Sequence, residues 1–297
     1  MRLTRSCPAK VNLFLEVTGK RPNGYHELAT LFAKINWADR LTIEAQIAES
    51  TSITLAIDGP IGKRLRADET NLVCRAARGF LEHFNLQAKL EITLEKNIPT
   101  GAGLGGGSSD AAHTLLMLGE LFNKDARELL DFAAKLGADV PLFMYPDTFL
   151  KGEGIGEILT PLTAGKNLPW LVLIYPNAFI STKMVFGNFQ LPDPAQIAAH
   201  KSQLERLITA IEAGKPLVDW EPFLFNRLEQ GVSKISRPVE EALAELKAAG
   251  AHGVMMSGSG STVFGMVSTQ QEAQQLANRL RRSGRRVFYT SFYTDEK

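Results

Sequence analysis

Cysteine is nearly missing: Cys7 and Cys74 are the only two in 297 residues. Two thiols cannot build a disulfide framework, and no Cys/His spacing suggests zinc. Long apolar runs are missing too. The longest burst, WLVLIY at Trp170–Tyr175, falls far short of the ~20 residues that span a bilayer. The N-terminal MRLTRSCPAKVNLFLEV is interrupted by Lys10 and Glu16 before it reaches signal-peptide length. Nor does one sign of charge dominate, with 33 Lys and Arg against 32 Asp and Glu. So near-neutral a chain lacks the positive field that nucleic acid or an acidic membrane requires of a partner. The one dense basic stretch, RRSGRR at Arg281–Arg286, reads as the solvated end of a helix and its turn. These absences point to a cytoplasmic protein, with no nucleic acid and no membrane as partner. They leave open whether it is a monomer or a homodimer.

What is present is an ordinary soluble composition, 44% hydrophobic and 22% charged, in a chain long enough for one large or two ordinary domains. The first sixty residues or so read as strands. Val11, Leu13, Leu15 and Val17 alternate with the period of a half-buried strand, and Pro22–Asn23–Gly24 supplies a hairpin turn. From Asn71 the period changes, and Leu72, Val73, Ala76, Ala77, Phe80, Leu81 and Phe84 form one helical stripe. KLEITLEK at Lys89–Lys96 returns to a strand. Helices are expected at about Ser108–Phe122 and Asp125–Leu136, then near Gln196–Ala213, Val239–Ala249 and Gln270–Arg282. Strands are expected at Trp170–Tyr175, on both sides of the Gly/Ser turn in GVMMSGSGSTVFGMV, and at Val287–Phe292. Strands grouped early and mixed with helices later predict an α+β fold. The Gly/Pro-rich segment Lys151–Pro169 suggests a domain boundary, giving domains 1–158 and 159–297.

The chemistry-bearing stretch is PTGAGLGGGSSDAA, Pro99–Ala112. It joins an alternating strand to an apolar helix, which aims backbone N–H groups and the positive end of a helix at one spot, an anion site. Gly101, Gly106 and Ser108 have Walker A spacing, but Gly107 stands where the lysine belongs. Gly101, Gly103 and Gly106 also match G-x-G-x-x-G, yet a second helix comes next where a dinucleotide fold needs a strand. Phosphate-binding physics survives without either label.

This stretch resembles the second motif of the GHMP kinases, the galactokinase, homoserine kinase, mevalonate kinase and phosphomevalonate kinase superfamily. PAKVNLFLEVTGKRPNGYHEL, LGADVPLF and MSGSGSTVF resemble further stretches of the same family, in the family's order along the chain. The resemblance implies a two-domain kinase fold, an N-terminal ATP-binding domain and a C-terminal α+β substrate domain, with ATP and Mg²⁺ as cofactors. The match is closer to the members that phosphorylate the 2-hydroxyl of a methylerythritol carrying cytidine diphosphate, in the non-mevalonate isoprenoid pathway.

The resemblance also assigns residues. Asp139 becomes the general base and Lys10 the cation that keeps it ionised. From the residues alone, Asp139 before Val-Pro reads as a helix cap, and Lys10 as a solvated lysine on an exposed strand face. Pro99, Gly101, Ala102, Gly103, Leu104, Gly105, Gly106, Gly107, Ser108 and Ser109 would wrap the triphosphate, either serine reaching phosphate or metal. The metal ligands are otherwise unassigned. Asn71 and Lys96 fall on the adenosine side. Tyr25 and His26 would lie against the cytosine, with Phe186 on the opposite side of the base, and Asn12, on the strand face of Lys10, would contact substrate. Cys7 carries no expected role. Two other readings compete: another GHMP kinase, such as a homoserine or mevalonate kinase, and a non-catalytic ATP-binding protein on the same scaffold.

Overall fold

Two long strands, β1 (Arg2–Lys20) and β2 (His26–Ile47), run through both of the units into which the chain divides. The first unit comprises Met1–Ala9, Trp37–Thr100 and Gly105–Pro146; the second comprises Lys10–Asn36, Gly101–Leu104 and the chain from Asp147 onward. The computed structural model describes residues 1–62, 65–187, 189, 191–282 and 285–294.

In the first unit the distal half of β2 is followed by β3 (Ser52–Asp58), α1 (Leu72–His83), β4 (Ala88–Glu95), α2 (Gly106–Phe122) and α3 (Leu130–Leu136). β4 pairs antiparallel with β2, from Arg40↔Glu95 to Ile47↔Ala88, and parallel with β3. Its alternation is strict: Ala88, Leu90, Ile92 and Leu94 are buried and the residues between them exposed, so one face of the sheet is core. α1 buries Val73, Cys74, Ala76, Ala77, Phe80 and Leu81, the expected stripe. A Cβ on its Gly79 would fall 2.0 Å from Phe132 of α3, so the missing side chain is what lets those helices meet. The helix expected over Asp125–Leu136 is broken instead. The Asp125 carboxylate accepts the Arg127 N–H, and Ala126–Leu129 forms a 3-10 turn before α3.

The second unit adds, in chain order, β5 (Phe149–Glu153), β6 (Ile158–Leu162), β7 (Trp170–Tyr175), α4 (Thr182–Gly187), α5 (Pro194–Glu212), α6 (Leu217–Trp220), β8 (Phe225–Asn226), α7 (Glu229–Ser233), α8 (Arg237–Ala248), β9 (His252–Met256), β10 (Val263–Val267), α9 (Gln270–Leu280) and β11 (Arg286–Thr290). β5 pairs with the proximal half of β2, and β8 runs parallel to β1 through Phe14↔Phe225 and Leu15↔Asn226. A second sheet has the order β11-β7-β10-β9. Val172, Ile174 and Val263 from that sheet share one core with Leu243 and Leu246 of α8 and Leu276 of α9. α9 opens with a capping box between Thr269 and Glu272.

Two local expectations change. β1 is buried on both faces from Cys7 to Val17, so Lys10, Asn12 and Glu16 lie inside with the alternating aliphatics, and Lys10 is not a solvated lysine. Glu16 can be buried because Arg227 Nε donates to its Oε1 at 2.8 Å and Nη2 to its Oε2 at 2.6 Å, with His200 on the same carboxylate. The basic stretch is only partly solvated: Arg281 and Arg282 are exposed, but the Arg285 side chain is 7% exposed and ion-paired with Glu245. Ser283 and Gly284 lie outside the described residues.

Candidate active site

Lys10 and Asn12 lie two residues apart on the same side of β1, and the structure brings their side chains together. Lys10 Nζ donates to Asn12 Oδ1 at 2.8 Å, Asn12 Nδ2 donates to Thr30 Oγ1 at 2.9 Å, and Thr30 Oγ1 donates to the Phe14 carbonyl at 2.6 Å. This relay fixes which end of the amide faces the lysine. With Lys10 4% and Asn12 2% exposed, each bond is made in a medium where an unmade one is costly. The ammonium also lies 5.6 Å from the centre of the Phe32 ring.

The Gly101–Leu104 part of the glycine run packs in the same unit. Lys10 N–H donates to the Leu104 carbonyl at 2.9 Å, Thr262 N–H to the Ala102 carbonyl at 3.2 Å, and Ser257 Oγ to the Gly103 carbonyl at 3.0 Å. The two Gly/Ser-rich stretches of the sequence therefore touch. Gly103, at φ +79°, has no room for a side chain, since a Cβ would sit 2.2 Å from the Ser257 carbonyl oxygen. Its glycine is required by the neighbouring turn, a reason the sequence does not disclose.

In the first unit the run becomes a helix N-terminus. Gly105 is the cap of α2, at φ +69°, and has no side chain to bond the first turn. The first bond into the helix goes from Ser109 N–H to the Gly105 carbonyl, 2.9 Å. The N–H groups of Gly106, Gly107 and Ser108 consequently have no intrahelical partner. Gly107 is exposed, with only Leu72 Cδ1, 3.7 Å away, near the place of a Cβ. This is a cradle open to an anion, and it fits a phosphate. Ser108 is half-buried and Ser109 fully buried, so Ser108 is the hydroxyl nearer solvent. Ser108 Oγ lies 3.7 Å from the place of a Cβ on Gly137, at the start of the turn that carries Asp139. That turn is closed by Val140 N–H on the Gly137 carbonyl at 3.0 Å, and Val140, not Asp139, caps the following 3-10 segment Pro141–Met144. Asp139 is half-buried and does not serve as the helix cap its sequence context suggests.

Behind the cradle Lys96 centres a charged cluster whose two carboxylates the sequence reading missed. Lys96 Nζ donates to Asp39 and, at 2.5 Å, to Asp110 Oδ2, and all three side chains are buried. Asp39 Oδ1 also accepts the N–H groups of Asn97 and Ile98 at 2.6 and 2.8 Å. The cluster thus ties the end of β4 to the first turn of α2, and Lys96 Nζ lies 3.1 Å from the place of a Cβ on Gly106. Burial, reinforced by the Asp39 charge and opposed by Lys96, pushes the Asp110 carboxyl up to about 8. Burial alone would lower the Lys96 ammonium, but Asp110 and Asp39 together raise it. Burial likewise pushes the nearby Cys7 thiol well up, away from reactivity. A place inside the glycine-rich motif is the one signal that could have found Asp110; nothing around Asp39 marks it. Asn71 caps α1: its Oδ1 accepts Val73 N–H and its Nδ2 donates to the Arg66 carbonyl, each at 3.0 Å. Pro99 is buried at the start of the run.

Among the residues expected at the acceptor, the Pro22–Gly24 turn forms as read, with Gly24 N–H on the Arg21 carbonyl at 2.9 Å and Tyr25 N–H on Asn23 Oδ1 at 3.1 Å. Tyr25 is 58% exposed. The His26 and Phe186 rings pack directly, centroids 5.0 Å apart, and Phe189 meets His26 edge-on at 6.2 Å. A base stacking between His26 and Phe186 has to part them. Partial burial and the Lys20 charge lower the His26 imidazole from its ordinary value, favouring the neutral form. Phe189 is an aromatic neighbour that sequence reading did not select.

Two family models match the chain: the N-terminal domain of the GHMP kinases over residues 71–147 and their C-terminal domain over residues 197–286. The chain is 40% identical to the 4-diphosphocytidyl-2-C-methyl-D-erythritol kinase of Desulfotalea psychrophila, over 89% of this chain and 85% of that one. The chain belongs to that family of GHMP kinases. A crystal structure of a 4-(cytidine 5'-diphospho)-2C-methyl-D-erythritol kinase superposes with a TM-score of 0.77 at 35% identity, covering 98% of this chain and 100% of that one. A homoserine kinase from Cytophaga hutchinsonii superposes as well, with a TM-score of 0.79 over 98% and 95% of the two chains, but at 18% identity. That likeness is one of fold. The α+β, two-domain architecture expected from the sequence is the family's. Among the described residues no helix is long and apolar enough to cross a membrane, and no three His, Cys, Asp or Glu side chains gather as a metal site.

Proposed function

We propose that the chain transfers the γ-phosphoryl group of ATP to the 2-hydroxyl of 4-diphosphocytidyl-2-C-methyl-D-erythritol. The observation that carries this reading is identity of 35–40% along nearly the whole chain to kinases of that name. Homoserine and mevalonate kinases share the fold at 15–18% identity.

Phosphoryl transfer asks a protein mainly for positioning and charge stabilisation. The uncapped N–H groups of Gly106, Gly107 and Ser108 supply fixed donors for phosphate oxygens, at a cradle that needs no reorganisation. In this reading Pro99 and Gly101–Ser109 wrap the triphosphate, and Asn71 and Lys96 lie toward the adenosine. Lys96 acts there through its hold on Asp39 and Asp110. Asp139 accepts the proton of the substrate hydroxyl, and Lys10, with Asn12 fixing its head group, supplies the cation that favours this loss. Tyr25, His26 and Phe186 grip the cytosine, and neutral His26 can both donate to and accept from a base edge. Mg²⁺ bound to the triphosphate would neutralise its charge; a magnesium ion carried by substrate phosphates needs only one or two protein ligands, and the Ser108 hydroxyl is the candidate. Residues 1–158 are read as the nucleotide domain and 159–297 as the acceptor domain of a cytoplasmic enzyme.

ADP release measured in parallel with the cytidine-diphosphate acceptor, homoserine and mevalonate tests the assignment. Turnover is expected with the first alone, and faster turnover with either of the others overturns it. Asp139→Asn keeps size but removes the proton acceptor, so kcat should fall ~10²–10⁴-fold with nucleotide binding kept. Near-normal turnover by the folded variant takes Asp139 out of the mechanism. Methylerythritol phosphate, which lacks the base, should be a very poor acceptor.

A further inference from the structure

β8 and the first turn of α7 read F-N-R-L-E, Phe225–Glu229, a stretch to which the reaction as described gives no role. Asn226 and Glu229 both turn to one place. Asn226 Nδ2 donates to the Met256 carbonyl and to the Gly258 carbonyl, each at 2.8 Å, while Asn226 Oδ1 accepts the Leu228 N–H at 2.9 Å. Glu229 Oε2 accepts the Met256 N–H at 2.7 Å. Met256 is thus held by both its N–H and its carbonyl, and the Gly/Ser turn after it by a third bond. Asn226 is 7% exposed, and all of its amide bonding capacity named here is spent on backbone.

That turn is what the reactive-side residues rest on. A Cβ on Gly258, at φ +56°, would lie 3.3 Å from Asn12 Oδ1, 3.4 Å from Lys10 Nζ and 3.4 Å from the Gly103 carbonyl oxygen. Ser257 Oγ holds the Gly103 carbonyl, and Thr262 N–H holds that of Ala102. β8 in turn is registered on β1, the strand that carries Lys10 and Asn12, through Leu15↔Asn226. One buried amide therefore references the Ser257–Ser261 turn to the strand it serves.

We propose that Asn226 and Glu229 are positioning residues: they set the Ser257–Ser261 turn at the height that places the Lys10 ammonium, the Asn12 amide and the Gly101–Leu104 loop for transfer. The inference rests on the kinase reading above. Burial, only partly offset by the Met256 bond, raises the Glu229 carboxyl, in keeping with a side chain kept for one backbone contact.

Asn226→Asp keeps the acceptor for Leu228 but turns an oxygen toward two carbonyls, and Glu229→Gln is the milder variant of the same clamp. Glu221→Ala is the comparison, because Glu221 Oε1 accepts the Gly253 N–H at 2.6 Å and so holds the far end of the same strand, β9. Two readouts are needed, kcat at saturating Mg-ATP and acceptor, and amide exchange at Lys10 and Thr262. A displacement of about an ångström costs up to ~10²-fold in rate. Asn226→Asp should therefore lower kcat roughly 10–10²-fold and speed exchange at both amides, Glu229→Gln should do so less, and Glu221→Ala should lose comparable melting temperature with neither effect. Unchanged exchange at Lys10 and Thr262 in a folded Asn226→Asp overturns the positioning role whatever the activity. Faster exchange with kcat retained overturns its place in transfer. A parent enzyme inactive on every acceptor would instead overturn the kinase reading, leaving the exchange result to decide the clamp.

Discussion

Gly101–Gly107 and Ser257–Ser261 are both glycine-rich turns, yet one runs into a 17-residue helix and the other returns at once as β10. The element each stretch leads into decides its use. The first ends on uncapped N–H groups at a helix terminus and so presents donors to an anion. The second ends in a strand ladder and presents carbonyls and a Cβ-free surface to Lys10, Asn12 and Gly103. Their supports differ as well. Behind the first lies the ionic cluster of Lys96, Asp39 and Asp110; behind the second lie the Asn226 amide and Glu229. Glycine content alone says nothing about which is which.

The comparison breaks most completely at Gly103, where the two stretches meet. Gly103→Val places a branched side chain at φ +79° against the Ser257 carbonyl, combining a left-handed cost of roughly 1–2 kcal/mol with overpacking of about 1–3 kcal/mol. Urea unfolding should register that loss, with ATP affinity falling sharply alongside it. A variant of parental stability and affinity would mean that the contact is dispensable.

Phe186→Ala tests the acceptor side. It should weaken the cytidine substrate by ~1–3 kcal/mol, as base stacking does in single-strand binders, and leave ATP affinity nearly unchanged. Titration calorimetry with each ligand separates these, and equal losses for both would mean that Phe186 acts on the fold.

Gly107→Ala tests the cradle without touching the protein around it, since the Cβ has open space and the φ is helical. Stability should hold or rise slightly. The methyl would hold phosphate off the residue 107 N–H, so ATP affinity should fall roughly tenfold, the weight of one hydrogen bond to a charged group. Retained affinity would show that phosphate does not approach the helix at this residue.

The last contrast, with the smallest effect at acid pH, belongs to Asp110→Asn. A carboxyl raised to about 8 in the folded protein stays protonated where its unfolded counterpart, near 3.9, is ionised. Its contribution to stability is therefore complete below pH ~4 and is lost as pH rises through 8. Asparagine resembles the protonated form, so parent and variant should differ little below pH ~4. The parent should then lose stability relative to the variant between pH ~4 and pH ~8 and level off above that. Parallel pH profiles would show that the proton is not held there.

Much of this was legible in the sequence because it is local. The stripe from Leu72 to Leu81, the alternation of β4, the Pro22–Gly24 turn and the strand–glycine–helix order are set by the backbone's own periods and by residues a few positions apart. Lys10 and Asn12 shared a face by parity. The buried far face of β1 and the ionic pairing of Arg285 with Glu245 were not legible, because each depends on a partner distant in the chain.

The sequence by itself determined the family and the strand–glycine–helix order of the glycine run, and it supplied the lysine and aspartate proposed for transfer, since chemical type and short spacing carry that information. Only the tertiary structure decided that Lys96 sits between Asp39 and Asp110, that Gly103 is glycine because of Ser257, and that Asn226 holds the turn beside Lys10. A buried polar side chain must find its partner wherever the fold brings one, and strand pairing joins residues more than a hundred positions apart that no local period relates.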